Sequence, residues 1–349
     1  MHENAIDIEA HLGPWRMNKL KASTEYRDPS HELKDVPTCP FSVIDYELTK
    51  AEDADEVERL WKAAMETGFW YLMNHGVHEE AEGMFAMGEE TIALTLKEKL
   101  LFEQGDQGVS FGYDKGTRDV PEFVNISKDD ALACSAVARR TYPSAITPDG
   151  VHHHAFVKKS LAINNRLIGV LNDKLGLAAG ALASVHKVEE FSGCMARFLR
   201  APPYLGPEKT FLTAHTDFGS FLFLHNRLVR LSVAQPLPGH AICNIGDALN
   251  IISGGILPSN IHCVVQPPRE QAQYERHSVV FLARRNDTAE PRALSAQSER
   301  IAAAVAKAPR GKYAPDVTAM EWLVRRVKSQ RVTNCKVCPV PPVCAVAKG

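Results

Sequence analysis

Apolar positions along the chain change period repeatedly, and those changes divide it. Phe41-Ser42-Val43-Ile44-Asp45-Tyr46 alternates well enough to predict a strand. Val57, Leu60, Trp61, Ala64 and Met65 then fall on one stripe, predicting a helix over about 54–67. Gly68 ends that helix, and Phe69-Trp70-Tyr71-Leu72-Met73 reads as a buried strand before the turn Asn74-His75-Gly76. Further helices are expected over about 79–99 and 154–177, while the Gly-, Pro- and Asp-punctuated stretch 105–148 resists assignment. From Met195 to Arg285 the character becomes β: short segments separated by Gly206-Pro207, Leu237-Pro238-Gly239, Ser253-Gly254-Gly255 and Pro267-Pro268. Strands at that spacing predict an antiparallel sandwich or barrel, so the fold class is α+β. A last helix is expected over 314–331, ahead of a Cys/Pro/Val tail.

Within the β-rich part, Thr213-Ala214-His215-Thr216-Asp217-Phe218-Gly219 holds a His-x-Asp pair. On a strand those two side chains share a face, roughly 7 Å apart at Cα, close enough to converge on one metal ion. Spacing alone does not decide the matter, since His78-Glu79-Glu80 offers the same pattern. Ser259-Asn260-Ile261-His262-Cys263-Val264-Val265 adds a strand that is apolar except at His262, and a buried neutral His needs a hydrogen-bond partner or a metal. Arg276-His277-Ser278 follows closely enough for the two strands to pair as a long-looped hairpin. Period two puts Arg276 and Ser278 on one face as a carboxylate receptor. Two His and one carboxylate with open positions form the facial triad of non-haem Fe(II) oxygenases.

These stretches, in this order, resemble the isopenicillin N synthase-like subgroup of the Fe(II)/2-oxoglutarate-dependent dioxygenases. Phe41–Asp45, Gly68–Val77, Ala214–Ser220, Asn244-Ile245-Gly246-Asp247-Ala248-Leu249, Asn260-Ile261-His262 and Arg276-His277-Ser278 carry the likeness, over roughly residues 40 to 330. The resemblance implies a double-stranded β-helix (jelly-roll) core with a helical N-terminal region and a closing C-terminal helix. It implies His215, Asp217 and His262 as iron ligands, with Arg276 and Ser278 anchoring 2-oxoglutarate and dioxygen as the oxidant. The implied activity is hydroxylation, desaturation or cyclisation of a small organic molecule in secondary metabolism. Phe111, Tyr113, Phe123 and Phe218 are the candidate substrate contacts. The expected organisation is an arm over 1–38, an α/β region over 39–190, the jelly-roll core over 191–332 and a tail over 333–349.

Three departures from the family pattern stand out. Ala201 occupies a position where a Tyr often contacts the cosubstrate, Cys263 follows His262 where an Arg is usual, and the interval from Asp217 to His262 is short, with the deficit around 227–238. They keep two other readings open: an iron oxidase that does not use 2-oxoglutarate, and a catalytically impaired ligand-binding member. Elsewhere the residues read as structural: His75 and Asp247 in turns, His152-His153-His154 in a solvated loop, and Cys335, Cys338 and Cys344 as a free tail one ligand short of a zinc site.

Composition narrows the partners. With 349 residues, 40 Lys+Arg, 42 Asp+Glu and a net charge of −2, nothing draws the chain to nucleic acid or to an anionic membrane. Neither a secretory signal nor a membrane-length apolar run is visible, and eight cysteines are too sparse for a disulfide scaffold, so a cytoplasmic location is expected. The expected partner is a small-molecule substrate; oligomeric state leaves no mark on the sequence.

Overall fold

Alternation in the β-rich half becomes two sheets in the computed structural model, which describes residues 41–105, 110–114, 121–135, 137–146, 151–204, 206, 210–227, 237–265, 272–313 and 317–330. The strands are β1 (Val43–Asp45), β2 (Phe69–Met73), β3 (Gly112–Asp114), β4 (Glu122–Ser127), β5 (Met195–Ala201), β6 (Thr210–His215), β7 (Phe221–Arg227), β8 (Ala241–Ile245), β9 (His262–Val265) and β10 (Arg276–Ala283). Eight of them form one sheet in the order β1-β2-β8-β7-β10-β5-β4-β3; β6 and β9 pair separately. Only β1–β2 is parallel. A large antiparallel sheet facing a small one, with helices on its far side, is the α+β jelly-roll arrangement expected from the resemblance.

Register sorts the main sheet into two faces. On one, Phe198, Phe221, Phe223, Val279, Phe281 and Ala283 join the helices in the main core. Helix His78–Ile92 lies flush on this face because Gly88 has no Cβ, which would stand 2.1 Å from the Phe198 ring. The long helix Val151–Lys174 supplies Phe156, Leu161, Leu167, Ile168 and Leu171 to the same core. On the other face, Met195, Val280 and Leu282 form a smaller cluster with Phe111, against which Leu222 and Leu224 pack.

Several local expectations are corrected. The strands carrying His262 and Arg276 do not pair: β9 lies on β6, and β10 lies between β5 and β7. Tyr46 opens a short helix, Tyr46–Lys50, because the Asp45 carboxylate caps the backbone amides of Glu47 and Leu48. The stretch 79–99 is two helices, His78–Ile92 and Leu96–Leu100, the second started by a Thr95/Glu98 capping box. His152-His153-His154 lies in the first turn of Val151–Lys174 rather than in a loop. Helix Glu299–Ala306 was not anticipated, and the closing helix spans Ala319–Gln330. The unassigned stretch 105–148 contains β3 and β4. The expected arm over 1–38, the tail over 333–349 with its cysteines, and residues 228–236, most of the stretch where the shortening was placed, lie outside the described residues. Among the described residues, no helix is long and apolar enough to cross a membrane.

Candidate metal centre

His215 and His262 stand directly opposite each other in the β6–β9 ladder. Cross-strand neighbours are the closest side-chain pairs a sheet offers, and here the two rings lie 4.5 Å apart between centroids. Two residues past His215, just beyond the end of β6, Asp217 turns its carboxylate to both. His215 Nε2 is 3.9 Å from one oxygen and His262 Nε2 is 3.5 Å from the other. One donor atom from each of the three residues lies within 4.8 Å of the others, the one such cluster found among the described residues. The side chains keep 20 %, 11 % and 28 % of their surface accessible, so the group sits at a mouth that solvent reaches. The expectation that His262 is buried is thereby corrected: Ile261, its neighbour, is 74 % exposed and the strand is only half covered.

The groups around the cluster hold its donors in place. Asn244, on the inward face of β8, donates from Nδ2 to Asp217 Oδ2 at 2.7 Å, which fixes the carboxylate's rotation. His262 Nδ1 lies 3.2 Å from the Asn260 carbonyl, so a proton on Nδ1 leaves the Nε2 lone pair facing the cluster. Phe69 meets the His262 ring edge-on at 5.4 Å. The turn before Phe69 also reaches this segment: Asn260 Nδ2 donates to the Thr67 carbonyl, and Gly68 (φ +65°) leaves no room for a Cβ, which would stand 2.5 Å from the Pro258 carbonyl oxygen.

The loop after Asp217 is held by the start of helix Asp247–Ile252. Asp247 N donates to the Asp217 carbonyl at 2.7 Å and Ala248 N to that of Gly219 at 3.0 Å. Gly246 permits this approach, since a Cβ there would stand 2.2 Å from the Gly219 oxygen. Asp247 accepts from the Thr216 hydroxyl at 2.9 Å and from Arg326 at 2.8 Å, so the turn role read from the sequence includes bracing the cluster.

Arg276 and Ser278 share the inward face of β10 and are 3 % and 5 % exposed. Burial pulls the Arg276 guanidinium down to about 10. Ser278 donates to Asn226 Oδ1 at 2.6 Å, a donor that an arriving carboxylate would take over. Ala201 lies opposite Arg276 in the β5 register.

The four aromatic candidates separate. Phe111 and Phe123 belong to the inward side: Phe111 packs with Met195, Val280 and Leu282, and Phe123 is paired in register with Leu199. Tyr113 faces the helices instead, donating from its hydroxyl to Glu122 Oε1 at 2.9 Å with Lys99 over its ring. Phe218 turns to the closing helix, under Arg326 at 4.8 Å and beside Trp322 at 6.2 Å. Sequence reasoning missed Asn244 as a partner of Asp217. Its signal was a single polar residue in the otherwise apolar run Ala241-Ile242-Cys243-Asn244-Ile245, where a buried amide needs a purpose.

Comparison with known proteins points the same way. Residues 41–143 match the family described as non-haem dioxygenase in morphine synthesis N-terminal. A 2-oxoglutarate-dependent dioxygenase of Aspergillus fumigatus is 24 % identical over 294 residues, covering 71 % of this chain and 76 % of that one. The chain belongs to the Fe(II)/2-oxoglutarate-dependent dioxygenases. A homoarginine-6-hydroxylase of Arabidopsis thaliana is 24 % identical over 62 % of this dioxygenase and 68 % of its own length. Among solved structures, a full-length Neurospora crassa protein in complex with alpha-KG superposes with a TM-score of 0.68 at 18 % identity, over 84 % of this chain and 97 % of that one. A 2OG-Fe(II) oxygenase family protein from Caulobacter crescentus gives 0.66 at 19 %, over 84 % and 100 %. The family's iron(II), 2-oxoglutarate and dioxygen are the cofactors this dioxygenase uses. The donor set suits the metal: two imidazole nitrogens and one carboxylate oxygen leave half of an octahedron open.

Proposed function

We propose that this dioxygenase couples oxidation of 2-oxoglutarate to hydroxylation, desaturation or cyclisation of a small organic molecule in secondary metabolism. In this reading His215, Asp217 and His262 hold iron, and Arg276 with Ser278 anchors the cosubstrate. The observation that carries it is the cross-strand pair His215–His262 with the Asp217 carboxylate set between the two rings. Bound there, iron(II) supplies the oxygen chemistry, and the chain's own residues position and shield. Asn244 orients the carboxylate and Asn260 fixes the tautomer of one imidazole. Arg276, held in a buried strand, presents a fork to the far carboxylate of the cosubstrate. Phe111, Phe123, Leu222 and Leu224 form an apolar wall against which a substrate can lie. A small substrate is supported by relatives of similar sequence, among them a leucoanthocyanidin dioxygenase of Petunia hybrida, 26 % identical over 65 % of this chain. A reducing, cytoplasmic setting goes with this reading, and Cys134, Cys194 and Cys243 are free thiols.

The test is an anaerobic titration with Fe(II) followed by 2-oxoglutarate, watched for a visible charge-transfer band, and then a screen of metabolites for substrate-stimulated succinate release in air. A band and coupled succinate are expected. Substrate oxidation without succinate would identify the oxidase instead, which the Ala201 position opposite Arg276 makes worth measuring. No band with either addition would leave a protein that does not assemble the centre.

A further inference from the structure

The inward face of the main sheet carries a cation that the chemistry above does not use. Arg197 lies in the middle of β5, in register with Val280 of β10 and Asn125 of β4. It therefore stands on the same face as Arg276 and Ser278, four residues along the strand from the Ala201 position that faces Arg276. Three other strand and loop arginines of this protein are matched with acids, while Arg284 and Arg285, just past β10, donate to the backbone carbonyls of Gly193 and Glu290. Arg200, three residues on and facing the opposite way, meets Glu122 and Glu275; Arg227 meets Glu82 and Glu89; Arg139 meets Asp129 and Asp287. Arg197 differs. Among the described residues its guanidinium has only Asn125 Oδ1, 2.6 Å from Nε, and the Met195 sulfur, 3.9 Å from Nη2, with the Phe123 ring 4.8 Å below. Asp114 and Asp217 act on it from beyond ion-pair distance, and desolvation holds its pKa below the usual arginine value.

A charge in that position costs free energy unless something offsets it. Yet Arg197 is not sealed into a core: it keeps accessible surface, and so do Phe69, Phe123, Leu222, Leu224 and Asn226 on the same face. The charge thus stands among partly accessible and mostly apolar neighbours, where a planar fork of donors receives a carboxylate best.

We propose that Arg197 anchors a carboxylate of the substrate, so that the preferred substrates are organic acids whose apolar bodies lie against Phe123, Leu222 and Leu224. The proposal rests on the dioxygenase reading of the same site and adds the substrate class to it. It assigns the two inward arginines different acids: Arg276 holds the cosubstrate and Arg197 the substrate.

The test is calorimetric. The full chain, loaded with Mn(II) and 2-oxoglutarate, is titrated with a panel of aryl and alkyl carboxylic acids, each beside its methyl ester. In the wild type at least one acid should bind about tenfold or more tighter than its ester, the ratio that loss of one charge-assisted contact produces. R197Q should bring that pair within about twofold while the affinity for 2-oxoglutarate stays within about twofold. R197K keeps charge and bulk but not the fork, so it should hold the preference at reduced strength; it also serves should R197Q not fold. A panel in which no acid outranks its ester overturns the proposal, as does a preference unchanged in R197Q or R197K. Equal losses for the acid and for 2-oxoglutarate in R197Q would place Arg197 in the cosubstrate anchor and overturn it too. Acid preference that depends on Arg197 in a protein forming no succinate with iron would sink the dioxygenase reading and leave this one standing.

Discussion

Strand β10 has two faces that answer to different demands. Val279, Phe281 and Ala283 point to the helices, belong to the main apolar core and are at most 1 % exposed. Arg276, Ser278, Val280 and Leu282 point inward, where polar and apolar residues mix and accessible surface remains on the strands beside them. One strand thus carries stability on its odd positions and recognition on its even ones. The lesson is that neighbouring substitutions should give different phenotypes: unfolding from one residue, lost ligand from the next.

The largest effect belongs to the cluster itself. D217A removes the group that both imidazoles share and should abolish metal-dependent binding of 2-oxoglutarate. That loss should exceed the ~10–100-fold typical of removing a partner that merely orients a ligand. A metal titration reads this directly, and retained affinity would remove Asp217 from the ligand set. On the odd face, F281A should cost about 3–5 kcal/mol of stability in a urea titration, because a fully buried ring leaves a cavity that close-packed neighbours fill only in part. On the even face, R276Q should leave the urea midpoint nearly in place and weaken 2-oxoglutarate binding ~100-fold, about 2.7 kcal/mol. Reversed phenotypes for these two variants would break the two-face comparison.

Much of this was legible from residue order, and the reasons are physical. A period of 3.6 marks Val57, Leu60, Trp61, Ala64 and Met65 as a helix stripe, and helix Ala54–Glu66 forms there. His-x-Asp in an extended setting suggested that His215 and Asp217 stand side by side, and they do. Asp217, however, lies past the end of β6 and is turned by its loop rather than by the strand's pleat. Strand pairing was not legible. The closeness of His262 to Arg276 in sequence suggested a hairpin, but β9 sits on β6, some fifty residues earlier, because jelly-roll strands cross between sheets. Burial misled for a similar reason: the apolar run 261–265 looked interior, yet it belongs to a two-stranded ladder, among the described residues, with little to cover it. Tyr113 shows the limit of residue type as a guide. An aromatic near a pocket mouth faces either way, and only the register of β3 against β4 turns it toward the helices.

The same comparison predicts where acid acts. His75 and His225 belong to the helix side of the sheet, packed edge-on against one another and against Phe223, and His186 is buried against Ser220. Burial depresses all three, His75 to about 3, His186 to about 4, and His225 well below its ordinary value. The unfolded chain takes up these protons near pH 6.5 and the folded chain does not. Stability should therefore be flat above about pH 7, then fall as pH drops from about 6.5 toward 4. The slope approaches about 1.4 kcal/mol per pH unit for each group. Urea midpoints at pH 7.5, 6.5 and 5.5 check the sign. H75Q should flatten the slope by one group's share, and an unchanged slope would show that these imidazoles are not buried neutral.

The smallest expected effect tests whether the closing helix Ala319–Gln330 is more than a cover. Arg326 reaches from it to the loop between the two sheets, donating to the Thr216 hydroxyl at 2.9 Å and to Asp247 at 2.8 Å, with its guanidinium 4.8 Å over the Phe218 ring. Thr216 separates His215 from Asp217, so this one side chain grips the residue between two candidate ligands and the residue that braces their loop. R326M keeps bulk over Phe218 and removes both donated bonds. Helix packing should survive, while the loop gains freedom and metal affinity falls about tenfold, the low end for a group that orients a ligand. Competition for Mn(II) against a chelator measures this without turnover. An affinity unchanged in R326M, with the melting temperature also unchanged, would confine the helix to shielding and leave Asn244 as the chief restraint on the Asp217 carboxylate.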